Sequence, residues 1–170
     1  MGDFHEISDA QPADQESLWL ELQAMPDFLE ASFRTLSRQE ASAPGPNDAF
    51  SPIEQCWHLA DLEREGYGLR IRRLQAEADP WLPDFDGAQI ARERNYKTLS
   101  LAEGLAVFRE ARLRNIAVLK TLGVGDWTRR GQQEGVGAVA LCDIPTMMAE
   151  HDAAHRQEIQ DWMRTRRERN

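Results

Sequence analysis

Apolar positions recur at three- and four-residue steps over four stretches of the chain, and the alternation expected of strands is nearly absent. The first stretch runs from about Gln15 to Ser37, with Leu18, Leu22, Met25, Leu29, Phe33 and Leu36 on one face. Pro26 lies inside it, so a kink and a lost bond to the Leu22 carbonyl are expected. Ala43-Pro44-Gly45-Pro46-Asn47 breaks regular structure. The second helix has a marked start: Ser51 as cap, Pro52 in the first helical position, and Glu54 completing a capping box. It is predicted to pass through Trp57, Ala60, Tyr67 and Ile71 to about Glu77, before Asp79-Pro80.

Residues 79–99 read as irregular, a connection long enough to cross a bundle and permit a parallel neighbour, its aromatic residues packing over one end. The third helix opens with a second capping box, Ser100 and Glu103. Leu101, Leu105, Phe108, Ile116 and Leu119 form its apolar side, and Gly123 closes it. Trp127 to Gly131 and the glycine-bearing stretch Gly135 to Leu141 suggest a loop or small hairpin. A fourth helix starts near Asp143 or Ile144, with Pro145 in its first turn, and continues to about Arg166. The expected architecture is an all-α four-helix bundle over about residues 15–166, in a single domain spanning 1–170.

Length and composition agree with one globular domain: 170 residues, 41% of them hydrophobic. The 29 acidic residues outnumber the 20 basic ones, a net charge of −9, which disfavours a nucleic-acid partner held through phosphates. The one dense basic run, Arg164 to Arg169, suits the negative end of a C-terminal helix. Two cysteines, Cys56 and Cys142, make neither a disulfide framework nor a redox pair. No apolar run approaches the roughly 18 residues of a membrane helix. The acidic start, Met1 to Glu6, is unlike a signal peptide, and a cytoplasmic location is expected.

Candidate chemistry centres on histidine. His151 and His155 are four apart, and the series Ile144, Met148, His151, His155, Ile159, Trp162 is an apolar stripe with two positions held by histidine. Buried unpaired polar groups cost roughly 1–3 kcal/mol each, and a divalent metal satisfies both imidazoles at once. His58 falls within about 40° of Leu62 and Leu69 on the second helix, so it too is expected to point inward. Bundles commonly build metal sites from facing helices, and three imidazoles leave a coordination position open. The competing reading makes all three core histidines bonded to carbonyls.

Glu54 and Asp61 share nearly the same face as His58. Either is a candidate to orient an imidazole or to act as a base on metal-bound water, although capping is the favoured role of Glu54. Asp152 and Glu158 read as solvated salt-bridge residues and Cys56 as a small core residue. Cys142 is an outside candidate ligand, and His5 is assigned nothing, in a tail expected to be mobile.

Two segments, Ser51 to Asp61 and Glu150 to His155, resemble the helix signatures of the DinB-like superfamily of damage-inducible proteins. Leu82 to Asp86 and Trp127 to Gly131 are similar to one of its subgroups. The resemblance implies an up-down-down-up bundle with the long crossover, a divalent metal on His58, His151 and His155, and a homodimer. It also implies a stress response and small-molecule chemistry, of which thiol S-transfer or hydrolysis is foremost, with Asp61 or Glu54 handling protons. Low-molecular-weight thiols such as bacillithiol or mycothiol are the substrates it suggests. Zinc or nickel is the expected metal, with iron or manganese also compatible. The alternative is a non-catalytic metal- or ligand-binding protein.

Overall fold

A computed structural model describes residues 12–169. Four long helical segments carry most of the chain, joined by short helices and one small sheet. The first helix, α1 (Pro12–Phe33), keeps helical geometry through Pro26 and ends four residues earlier than the periodicity predicts. Leu36 lies beyond it and still packs against the core. Ser37 caps a short helix, α2 (Arg38–Ala41), by a reciprocal box with Glu40, and that new start is why α1 stops.

The second long segment begins as foreseen. In α3 (Pro52–Asp61) the Ser51 side chain accepts from the Glu54 backbone N–H, while Glu54 accepts from Ser51. The segment is not one α-helix to Glu77, however. Leu62–Tyr67 is a π-helical stretch, in which the Gly68 N–H reaches back five residues to the Glu63 carbonyl, before α4 (Gly68–Ala76) resumes. A π turn sets the downstream face back by about one residue, or roughly 100°. The Asn115 side chain donates to the same Glu63 carbonyl at 2.8 Å, which stabilises the wider turn.

The connection from α4 to the third long helix is more ordered than a sequence rich in proline and aspartate suggests. It contains β1 (Trp81–Leu82), α5 (Gly87–Glu93) capped by Asp86, and a 3-10 turn, Tyr96–Thr98. Its aromatic residues diverge: Tyr96 is buried, Phe85 packs on the core and Trp81 is exposed. The third long helix, α6 (Leu101–Lys120), is capped at Ser100 and ends in a right-handed Thr121. Gly123 is not its terminator, since it precedes α7 (Val124–Trp127) in an extended conformation.

The hairpin is present as β2 (Arg130–Gln133) and β3 (Gly137–Ala140), turning through Gly135 and Gly137 at φ of 74° and 100°, which favour glycine. Strand β1 adds to it in parallel, pairing Trp81 with Gln132 and Leu82 with Gln133. Long-range pairing of this kind leaves no local signal. Arg129 fastens the sheet to the end of α4 by donating to the Leu74 carbonyl at 2.6 Å. The last helix, α8 (Ile144–Arg169), packs on α1. The core falls into two apolar clusters. One holds Leu22, Leu62, Ile71, Leu119 and Met148, the other Met25, Leu29, Leu59, Phe108 and Ile159.

Candidate metal centre

Helix α3 supplies His58, and α8 supplies His151 and His155 one turn apart, and the three imidazoles meet. One ligand nitrogen from each lies within 4.8 Å of the others. The His151 and His155 Nε2 atoms are 3.1 Å apart, and the His58 and His155 ring centres 4.9 Å. Behind His155, its Nδ1 is 2.6 Å from Gln55 Oε1. A neutral His155 protonated at Nδ1 donates there and keeps its Nε2 lone pair for the cluster. Gln55 is itself oriented, donating to Glu158 at 2.7 Å.

Burial sets the protonation of the group. It pushes His58 down to about 4, with repulsion from His151 adding and the Asp61 charge opposing. His151 falls to about 3 through burial, then His155, Arg112 and Arg70, and His155 falls to about 3 through burial and His58. All three are therefore neutral near pH 7, the form that ligates. His58 Nδ1 is buried without a hydrogen-bond partner. Three neutral imidazoles that each bring one nitrogen to a common place are a donor set that suits a divalent ion.

The walls are aromatic. Phe50 and Phe85 lie 5.3 and 6.1 Å from the His58 ring, and Tyr67 lies 6.3 Å from His151. Gly87, opening α5, leaves no room behind His58: a Cβ there would collide with Cε1 and Nδ1 of the ring. Over the histidines lies a cleft of about 330 Å³, lined by His58, Tyr67, Arg70, Phe85, Gln133 and His151 among others.

The carboxylates singled out by sequence stand outside the three-histidine cluster. Glu54 is held in its capping box, where Ser51 donates to it from both N–H and Oγ at 2.9 Å. Asp61 is buried, accepting from Arg64 on one oxygen and from Arg94 and Tyr96 on the other, at 2.5 to 2.6 Å. It thereby ties the segment of Arg94 and Tyr96 to α3. Cys56 is buried and its thiol pushed up by desolvation, whereas Cys142 is exposed and away from the histidines. His5 lies outside the described residues.

Asp152 corrects the sequence reading. It is buried, not solvated, and takes a bidentate pair from Arg112 at 2.6 and 2.9 Å, while Arg112 Nε donates to Glu63 at 3.0 Å. This buried triad joins the π segment after His58 to the helix of His151 and His155 through α6. Glu158 is half exposed, as its position suggested, yet it holds Gln55. Sequence reasoning missed Gln55, Gly87 and the triad. Gln55 carries one local signal, standing on the same helix face as His58 within one turn.

The model of the DinB superfamily matches residues 21–159. This chain belongs to that superfamily. The solved structure of YfiT from Bacillus subtilis, described as a probable metal-dependent hydrolase with an unusual four-helix bundle topology, superposes with a TM-score of 0.84. The two chains are 18% identical, over 97% of this chain and 94% of that one, a likeness of fold. No curated protein matches by sequence. No helix of the described residues is long and apolar enough to cross a membrane.

Proposed function

We propose that this DinB-superfamily chain is a divalent-metal protein acting on a small molecule by hydrolysis or thiol S-transfer, with His58, His151 and His155 as the ligands. The observation that carries the reading is the meeting of three neutral imidazoles, two buried and His151 half-buried, each with a nitrogen within 4.8 Å of the others. YfiT, described as a probable metal-dependent hydrolase, supports the same class of chemistry. When bound, the ion supplies Lewis-acid activation of a thiol or water nucleophile. Zinc and nickel suit the nitrogen donors best.

The residues around the ion divide the remaining work. Gln55 fixes the His155 tautomer, and Gly87 lets α5 close on His58. Phe50 and Phe85 exclude water from one side of His58. Asp61 acts on His58 by its charge, and Glu54 through the cap. The same reading takes the chain as one domain, an up-down-down-up bundle with the long crossover, a cytoplasmic homodimer expressed under stress. A non-catalytic metal-binding role has one observation in its favour, the engagement of both Asp61 oxygens by other donors.

Metal content decides the reading. Untagged protein from unsupplemented cells is expected to carry about one divalent ion per chain by mass spectrometry, lost in His58→Ala and His151→Ala while the helical circular dichroism persists. A protein that carries no metal and takes up none on titration has histidines that only pack the core.

A further inference from the structure

Among the described residues, three buried side-chain atoms have no hydrogen-bond partner: His58 Nδ1, Arg70 Nε and Gln133 Oε1. All three residues line the one cleft over the histidines. Arg70 and Gln133 are each 5% exposed. Arg70 forms no hydrogen bond or ion pair with any described residue, and its guanidinium lies 5.5 Å from the Tyr67 ring centre. The Asp84 charge reaches Arg70 without pairing with it, and a fold keeps a buried, unpaired guanidinium where something else supplies a contacting anion. The other arginine at the core, Arg112, has two carboxylates.

The backbone explains how Arg70 came to stand there. Twelve residues along an unbroken α-helix, it would sit about 120° from His58. The π segment between them removes roughly 100° of that angle, which brings Arg70 onto the His58 face. Gln133 arrives from the opposite wall on β2, held in register by the pairing with Leu82. Rotating its amide turns the unpaired oxygen position into an N–H donor. Asp84 and Glu150 also line the cleft, both exposed; Asp84 acts on Arg70 by its charge, and water screens the two carboxylates.

We infer that Arg70 and Gln133 form a carboxylate-binding subsite in the cleft beside the three histidines, and that the small-molecule substrate carries a carboxylate. The planar fork of Arg70 matches the two oxygens, and Gln133 adds a neutral donor from the facing wall. The subsite deepens the proposed function by naming its substrate class, and the substrate claim rests on that reading. Anion binding by Arg70 stands without it.

The test uses malonate as probe and malonamide as its neutral counterpart, on protein loaded with zinc and on protein stripped with chelator. With 15N-labelled chain, the Arg70 Nε–H resonance, assigned by its loss in Arg70→Met, is expected to shift saturably with malonate and not with malonamide. Affinity is expected to fall at least tenfold in Arg70→Met and about threefold in Gln133→Leu, which keeps the arginine and guards against misfolding of the first variant. Retention of malonate binding in the stripped protein and in His151→Ala supports the subsite even if the metal reading fails. Equal affinity in wild type and Arg70→Met, a Gln133→Leu variant that binds as wild type, or binding that disappears with the metal alone overturns it.

Discussion

Replacing Arg112 by Met removes the charge that holds two buried carboxylates together. Arg112, Glu63 and Asp152 each have side chains only 1% exposed. The guanidinium donates to Glu63 at 3.0 Å, to both oxygens of Asp152, and to the Leu22 carbonyl at 3.1 Å. Its loss removes the charged partner of both carboxylates and leaves Glu63 only the Asn115 amide at 3.1 Å. Removing one partner of a buried ion pair costs about 3–5 kcal/mol, a large part of the about 5–15 kcal/mol that keeps a domain folded. In a domain of this size each kcal/mol moves Tm by about 2–4 °C, so a fall of about 6–20 °C is expected.

The pH dependence of that deficit has a definite sign. Burial already raises the Glu63 carboxyl, and Arg112 opposes the rise. Without Arg112 it rises further, and a raised folded pKa lowers stability as pH climbs above the unfolded value near 4.5. The deficit is therefore larger at pH 7.5 than at pH 5. Urea unfolding of chelator-treated wild type and variant, followed by circular dichroism at both pH values, measures it. The triple variant Glu63→Leu, Arg112→Met, Asp152→Leu is expected to recover most of the loss, because apolar replacement of a whole buried triad is commonly neutral or better. An Arg112→Met protein within about 1 kcal/mol of wild type at pH 7.5 would refute the reasoning.

The site yields four further expectations. Gly87→Ala places a methyl against His58 and is expected to weaken metal binding about tenfold or more with the fold retained, measured by competition with a chromophoric chelator. Gln55→Leu removes the acceptor of His155 Nδ1–H, and a loss of about 10–100-fold in metal affinity is expected by the same assay. The metal-free protein should lose stability as pH falls from about 6.5 towards 3. The three imidazoles have folded values near 4, 3 and 3 against 6.5, so the unfolded chain binds the additional protons. One pH unit below 6.5 the cost is about 1.4 kcal/mol for each, and urea unfolding of His58→Ala at pH 5.5 and 7.5 should show a shallower slope. Asp61→Asn keeps the shape of the Tyr96 and Arg94 contacts while removing charge. If Asp61 acts through charge alone, metal content stays near wild type and His58, followed by NMR, titrates lower.

Local chemistry made much of this protein legible from its sequence. The four long helical segments follow from the spacing of apolar residues, and the starts at Ser51 and Ser100 from side chains that bond within one turn. The histidine pair on α8 was readable for the same reason, since residues four apart share a face whatever the fold around them. Tertiary structure alone decided the rest. Whether His58 meets that pair depends on how α3 packs against α8, and the π segment that turns Arg70 to the same face rests on Asn115 reaching across from α6. Gly87 and Gln133 come to the site through the packing of α5 and a strand pairing, contacts between residues far apart in the chain. Asp152 shows the limit most plainly. Beside a histidine on a charged helix it reads as a solvated acid, and only the arrival of Arg112 from another helix gives its charge a place in the core. Periodicity reports which face a residue occupies, whereas its partner is set by packing between elements.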